Sequence, residues 1–138
     1  MSVIDELIRT ESDETISFGN HTLAQKAKKE DYEHCGDLYK VKTYNTMTKL
    51  EKNGAFLYES VPGTSVSHLK ETDDGMEFTV EGADDAQITV GLADDTSYEV
   101  FVNGASAGTM KTNLGGKLSV SVELAETGEV KVEIKKQQ

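Results

Sequence analysis

Apolar and polar residues alternate with a period of two through most of the chain, and two stretches show this best. Apolar side chains stand at positions 98, 100 and 102 in the first stretch, and at 118, 120, 122 and 124 in the second. A period of two places every second side chain on the same face of a strand. Both stretches are therefore predicted to be strands with one face on a hydrophobic core.

Turn signals separate the predicted strands. Asn103-Gly104 and Asn53-Gly54 each supply two adjacent residues that accept positive φ, as the type I′ turn of a hairpin requires. Pro62-Gly63 fits the central positions of a type II turn, in which proline presets φ and glycine takes the positive φ. We therefore predict hairpins at the first two sites and a type II turn at the third.

The same pattern, alternating apolar and polar residues separated by turn residues, predicts about eleven strands. Besides those flanking Asn103-Gly104 and residues 118–124, alternating or apolar stretches occupy residues 16–18, 38–44, 47–52, 55–61, 64–70, 76–80, 88–92 and 130–134. So many strands approach the limit of one open sheet, which favours two packed sheets. The predicted fold is an all-β antiparallel β-sandwich, a single domain over residues 1–138 with a frayed tail at 135–138.

The N-terminal ten residues depart from the period of two. Ser2-Val-Ile-Asp5 has the form of a capping box, and the apolar residues that follow cluster on one helical face. This pattern predicts a short helix from Val3 to about Thr10. So short a helix is marginal alone and needs a surface to dock on. We favour a lid over one end of the sandwich, with an oligomerisation helix as the alternative.

Charge and composition narrow the possible partners. The formal net charge is −11, which disfavours nucleic acid and anionic membranes. Most of this charge lies in residues 54–138, so the N-terminal third would better receive an anionic ligand. Cys35 is the single cysteine and cannot form an internal disulfide. With no long apolar run and no leader-like start, a cytoplasmic protein is expected.

Three acidic pairs fall on predicted turns: Asp73-Asp74, Asp84-Asp85 and Asp94-Asp95. Clustered carboxylates can hold Ca²⁺, but aspartate is also a favoured turn residue. Successive antiparallel strands place the first and third pairs near one edge and the second a strand length away. The first and third pairs are therefore weak metal candidates, no EF-hand spacing is present, and no cofactor is predicted.

The remaining chemistry-bearing residues predict little. His34 and Cys35 are adjacent, which on a strand sends their side chains to opposite faces. A nucleophilic cysteine needs a base beside it, so we expect a half-buried cysteine next to a surface histidine. His21 and His68 lie in no HExxH or His-x-His pattern. Because the acidic pairs lie on turns, a hydrolase is the least favoured function.

Aromatic residues are the best candidates for a ligand site or an interface. Phe101 alternates with Val100 and Val102, so its ring is predicted to lie on the face away from the core. Residues 55–58 are apolar at every position, which indicates a central strand covered on both sides. Aromatic rings stack on sugars, and exposed apolar surface marks protein contacts. The candidates are Phe101, Phe56, Tyr58 and Tyr39.

Three stretches carry a likeness to known proteins: residues 38–44 (LYKVKTY), 58–66 (YESVPGTSV) and 109–124 (TMKTNLGGKLSVSVEL). Through them the chain resembles short uncharacterised bacterial all-β proteins that are sometimes labelled endosialidase. Residues 98–104 and 112–118 also resemble the last hairpins of accessory β-sandwich modules in secreted carbohydrate enzymes. The resemblance implies an association with carbohydrate-active enzymes.

The residues do not support sialidase chemistry. Sialidases hold the carboxylate of sialic acid with several arginines, whose planar guanidinium groups form paired hydrogen bonds. This chain has one arginine, Arg9, no tryptophan, and no Ser-x-Asp-x-Gly-x-Thr-Trp box. We therefore expect a non-catalytic assembly or interaction protein that forms a homo-oligomer. The alternative is a glycan-binding accessory module.

Overall fold

The computed structural model describes residues 3–125 and 128–137, and within them the chain forms thirteen strands and no helix. The strands are β1 (Ile8–Thr10), β2 (Ile16–Phe18), β3 (Ala27–His34), β4 (Asp37–Thr43), β5 (Thr48–Lys52), β6 (Ala55–Val61), β7 (Ser65–Thr72), β8 (Gly75–Glu81), β9 (Ala86–Gly91), β10 (Ser97–Val102), β11 (Ala105–Lys111), β12 (Lys117–Val122) and β13 (Val130–Lys136).

The strands form two antiparallel sheets that pack face to face as a sandwich, which confirms the predicted fold class. The seven-stranded sheet has the order β1-β2-β7-β8-β13-β10-β11, and the six-stranded sheet has the order β12-β9-β6-β5-β4-β3. Between the sheets, the ring of Tyr58 makes edge-on contacts with Phe18 and Phe78, with centroids 5.2 and 5.6 Å apart. The core is therefore shared by both sheets.

In strand β12 the period of two corresponds to one buried face and one exposed face. Leu118, Val120 and Val122 are buried, whereas Ser119 and Ser121 are exposed. The buried set joins the same core cluster as residues 98, 100 and 132 of the opposite sheet. This distribution confirms the predicted faces of the strand.

A network of buried hydroxyl groups closes one end of the core. Thr64 Oγ1 lies 2.7 Å from the Tyr58 hydroxyl and 2.8 Å from Ser60 Oγ. The Thr48 hydroxyl donates to the Thr64 carbonyl at 2.7 Å and accepts from the Thr64 N–H at 3.1 Å. All four residues are fully buried. Burial raises the pKa of the Tyr58 phenol far above its ordinary value, so this hydroxyl stays protonated.

A β-bulge explains why residues 55–58 look apolar on both faces. Leu50 is paired with Tyr58 and Glu51 with Phe56, so Leu57 is an extra residue in β6. As a result both Leu57 and Tyr58 are buried, while Phe56 is half-buried. The strand lies between β5 and β9, as predicted for a central strand.

The two Asn-Gly turns are confirmed and the Pro-Gly turn is wrong. Positive φ occurs at Asn53 (52°), at Asn103 (51°) and at the glycine that follows each of them. Gly63, in contrast, does not take positive φ, and the Val61–Pro62 peptide is cis. Glycine is required at 63 for another reason: a Cβ there would lie 1.9 Å from the Tyr44 carbonyl oxygen.

The predicted helix over residues 3–10 is wrong. The Ile4 N–H donates to the Gly19 carbonyl, and the Gly19 N–H donates to the Leu7 carbonyl. These backbone groups therefore bond to a residue distant in sequence and not within a helix. Leu7 has φ of 74°, which a right-handed helix cannot accommodate. Ile4 and Ile8 still reach the core, each 1% exposed, through a turn followed by β1. Ser2 of the proposed capping box lies outside the described residues.

Two strands and the end of the chain also differ from expectation. Strands β1 and β3 are not among the eleven predicted strands, and with them the described residues contain thirteen. The predicted frayed tail is wrong at residues 135–137, because β13 runs to Lys136 and the Gln137 N–H donates to the Ser97 carbonyl at 2.8 Å. Residue 138 lies outside the described part. Among the residues described, no helix is long and apolar enough to cross a membrane.

Candidate interaction surface

The four edge strands of the two sheets differ in how well they are protected against pairing with another chain. Strand β1 has three residues, and β3 carries a register shift between Lys29 and Tyr32 together with many charged side chains. Strand β11 is paired to β10 across a second register shift. Short length, bulges and charge are the devices that prevent edge-to-edge association. In the described part of the chain, β12 has none of them within its length except Lys117 at its start.

The hydrogen-bond phase of β12 shows which of its backbone groups face the open edge. The Leu92 N–H donates to the Gly116 carbonyl at 2.7 Å, so the backbone N–H and C=O groups of every second residue after Gly116 point toward β9. The backbone groups of the residues between them, Lys117, Ser119 and Ser121, point away from β9 to the open edge. Asn113 satisfies the first of these: the Lys117 N–H donates to its Oδ1 at 3.0 Å, and its own N–H donates to the Lys117 carbonyl at 3.1 Å. Ser119 and Ser121 therefore direct their backbone groups into the open edge.

An aromatic ring lies on the outer face close to this edge. Lys117 Nζ is 4.6 Å from the centroid of the half-buried Phe56 ring, which is a cation–π distance. The ring borders a shallow cleft of about 340 Å³ that Gly91 and Gly115 also line. A Cβ at Gly91 would lie 2.5 Å from the Phe56 carbonyl oxygen, so the absence of a side chain lets the two strands approach here.

The loop before β12 presents the most exposed large apolar side chain among the described residues. Leu114 is 83% exposed, and the Asn113 side chain accepts hydrogen bonds from the N–H groups of Gly115 and Lys117. The loop is thus ordered while its leucine faces solvent. The sequence signal for this loop is the Asn-Leu-Gly-Gly run at residues 113–116, which contains no aromatic residue.

The four aromatic candidates are placed in different environments. Phe101 is half-buried on the outer face of the seven-stranded sheet, with Lys135 Nζ 5.6 Å from its ring centroid. Tyr58 is fully buried and offers no surface to a partner. Tyr39 is 6% exposed and packs edge-on against His34. Phe56, on β6, is the candidate whose ring contacts Lys117 of β12, and the structure does not bring the four together.

The acidic pairs separate as the topology predicts. Asp73 and Asp74 form the β7–β8 turn, and Asp94 and Asp95 lie in the β9–β10 loop at the same end of the sandwich. Asp85 is at the other end, where its Oδ1 accepts the N–H groups of residues 124 and 125. Lys111 pairs with Asp95 at 3.1 Å. Over residues 3–125 and 128–137, no three His, Cys, Asp or Glu side chains are grouped to hold a metal ion.

A polar cleft of about 450 Å³ opens between the sheets beside Lys52 and Glu71. Lys52 of β5 and Glu71 of β7 bridge the sheets with an ion pair of 2.7 Å, and this bond raises the pKa of Lys52. The Asn53 side chain donates to Asp37 at 2.8 Å and lowers the pKa of that carboxyl group. Lys52, Glu71, Asn53 and Asp37 are thus paired with one another at this cleft.

The expectation for His34 and Cys35 is wrong. His34 is the last residue of β3 and is buried, with Nδ1 2.8 Å from Thr10 Oγ1. Cys35 is exposed, because it forms the β3–β4 turn with Gly36, and both residues take positive φ. A Cys-Gly turn replaces the Asn-Gly signal that identified the other hairpins, which explains why the turn was not recognised.

Comparisons of the chain with protein-family models, with curated proteins and with solved structures found no match.

Proposed function

We propose that the chain is a non-catalytic assembly protein whose copies associate through the open edge of β12. The observation that carries the proposal is the phase of this strand: Ser119 and Ser121 direct their N–H and C=O groups outward from a regular, uninterrupted ladder. Unpaired strand edges of this kind recruit another strand. A second copy of the same edge is the occupant that its charges favour.

In one register, an antiparallel pair of β12 strands uses the outward backbone groups of both Ser119 and Ser121. If Val120 lies opposite Val120 of the second copy, Ser119 lies opposite Ser121 and the two strands exchange four hydrogen bonds. The same register brings Lys117 near Glu123 of the second copy, the residue that follows the last residue of β12, twice by symmetry. Opposite charges across a strand pair are stabilising, and a closed two-fold interface is the commonest form of self-association. The strand is thus complementary to itself.

The overall charge opposes this association. Each copy carries −11, and two copies repel one another at long range. Moderate salt screens charges further apart than about 8–10 Å and leaves closer pairs less affected. Added salt up to about 0.15 M is therefore expected to tighten the dimer.

Ser119→Pro tests the edge without disturbing the ladder to β9, because the N–H that proline lacks points outward. In sedimentation velocity at several concentrations, this variant should associate at least about tenfold more weakly than wild type, since two hydrogen bonds are lost per dimer. Ser119→Ala is the matched control and should associate like wild type. A wild-type chain that is monomeric at every concentration and salt would refute the proposal.

A charge exchange tests the register. Lys117→Glu and Glu123→Lys should each weaken association about fivefold, because each creates like-charge pairs. The double variant should recover, since the same contacts return with reversed sign. Phe101→Glu alters the other sheet and should change nothing. Association that depends on Phe101 and ignores the exchange would place the interface on the seven-stranded sheet.

A glycan-binding accessory module is the second candidate, and the Phe56 ring supports it. The ring borders the cleft of about 340 Å³ between two glycines, where a sugar face could stack. This proposal agrees with the resemblance to carbohydrate-associated proteins. Thermal denaturation with a panel of neutral and sialylated oligosaccharides is the test: a ligand should raise Tm in wild type and not in Phe56→Ala. An unchanged Tm across the panel would remove this candidate.

A further inference from the structure

Three lysines form a row on the outer face of the six-stranded sheet. Lys28 of β3 is directly opposite Lys42 of β4, and Lys42 is directly opposite Lys49 of β5. Opposite residues in antiparallel strands have Cα atoms about 4.5–5.5 Å apart, so the three backbone positions span roughly 10 Å. Like charges placed directly opposite destabilise a sheet. Glu59 of β6 lies directly opposite Lys49 on the other side, so the repulsion within the row is concentrated at Lys42.

Neighbouring carboxylates in the described part of the chain form ion pairs with the two outer lysines of this row and not with the central one. Lys28 Nζ lies 3.4 Å from Glu30, and Lys49 Nζ lies 3.9 Å from Glu51. Glu30 is also shared with Lys40, at 3.7 Å. Among the described residues, no carboxylate forms an ion pair with Lys42, which is half-buried between two other lysines.

We infer that Lys28, Lys42 and Lys49 bind an oxyanion, namely a phosphate or sulfate group carried by a larger ligand. Lysine ammonium groups on flexible stems bind such groups as point charges, and three of them can converge on one anion. The negative net charge of the chain does not exclude this, because at physiological salt only charges within about 8 Å act strongly. The site lies on β3, β4 and β5, at the opposite side of the sheet from β12, and is independent of the proposed association.

The test titrates wild type with inorganic phosphate and with inorganic sulfate at constant ionic strength, followed by amide chemical shifts. The largest shifts are expected in β3, β4 and β5. Lys42→Gln should weaken binding about fivefold, the upper range for one exposed charge pair. Lys131→Gln makes the same charge change on the other sheet, where Thr79 lies opposite, and should weaken binding less than twofold.

A second readout separates a site from general screening. Without either anion and at low salt, Lys42→Gln should melt at a higher temperature than wild type, because one member of the like-charged row is gone. Tighter binding of phosphate would identify a phosphorylated ligand, and tighter binding of sulfate a sulfated one. Equal losses in the Lys42 and Lys131 variants, or shifts spread evenly over the surface, would overturn the inference.

Discussion

Replacing Thr64 by valine should be costly even though the two side chains have nearly the same shape. The Thr64 hydroxyl contacts two other buried hydroxyls, those of Tyr58 and Ser60, at 2.7 and 2.8 Å. Valine removes both hydrogen bonds, each worth about 1 kcal/mol net, and leaves the Tyr58 and Ser60 hydroxyls with one partner fewer each in the core. The expected loss is about 2–4 kcal/mol. Tyr58→Phe removes one of these bonds and leaves Thr64 with Ser60, for a loss of about 0.5–1.5 kcal/mol.

Urea unfolding followed by far-UV circular dichroism measures both variants, since tyrosine fluorescence would itself change. Either single change removes the bond between Tyr58 and Thr64, so the loss in the double variant Tyr58→Phe with Thr64→Val should fall below the sum of the single losses by about 1 kcal/mol. Thr48 holds the backbone of residue 64 in every variant. A Thr64→Val loss no greater than that of Tyr58→Phe would show that the network does not act as described.

The same tyrosine gives the network a pH signature. Burial raises the pKa of Tyr58, so the folded chain keeps a proton that the unfolded chain releases near pH 10. Stability is complete below that pH and falls as the pH rises above it, by up to about 1.4 kcal/mol per pH unit for this group. Tyr58→Phe should remove that part of the slope. An unchanged slope would contradict the assignment.

Three further predictions use the same unfolding assay. Val120→Ala should cost about 1–3 kcal/mol, whereas Ser121→Ala should cost less than about 0.5, because the first side chain is buried and the second exposed; equal losses would contradict the two faces of β12. Gly104→Val should cost about 1–2 kcal/mol, since a β-branched residue resists the φ of 85° found there. Burial lowers the pKa of His21, so stability should fall as the pH drops from 7.5 to 5.5 and the unfolded chain takes up a proton near 6.5. His21→Gln should reduce that fall, and an unchanged fall in this variant would contradict the assignment.

The fold class could be predicted because most strands bury one face and expose the other. Such a strand alternates apolar and polar residues, as residues 117–122 do. Asn-Gly turns identify two of the hairpins that connect the strands. Strand β3 was missed because it is an edge strand exposed over most of its length, so no alternation is required of it. At residues 3–10, two core contacts at Ile4 and Ile8 satisfy a helical spacing as well as the turn and strand that form.

The proposed surface depends on sheet order, which local pattern does not contain. The alternation of β12 was visible, but its place at an edge follows from β9 being its one neighbour in the six-stranded sheet. Likewise, Lys28, Lys42 and Lys49 come from three strands and meet only through their register. Phe101 was placed correctly on the outer face by alternation alone, whereas the bulge at Leu57 leaves both Leu57 and Tyr58 buried and so removes Tyr58 as a surface candidate.

The position of β13 has a consequence for the order of events during synthesis. It follows every other strand in the chain, yet it lies between β8 and β10 near the middle of the seven-stranded sheet. Strands β1, β2, β7 and β8 are joined to β10 and β11 within that sheet only by its hydrogen bonds. Before β13 is synthesised, β8 and β10 therefore lack the strand that pairs with both of them in the finished sheet, whereas all the described strands of the six-stranded sheet precede β13 in the chain. Chaperone protection would be needed most at that moment.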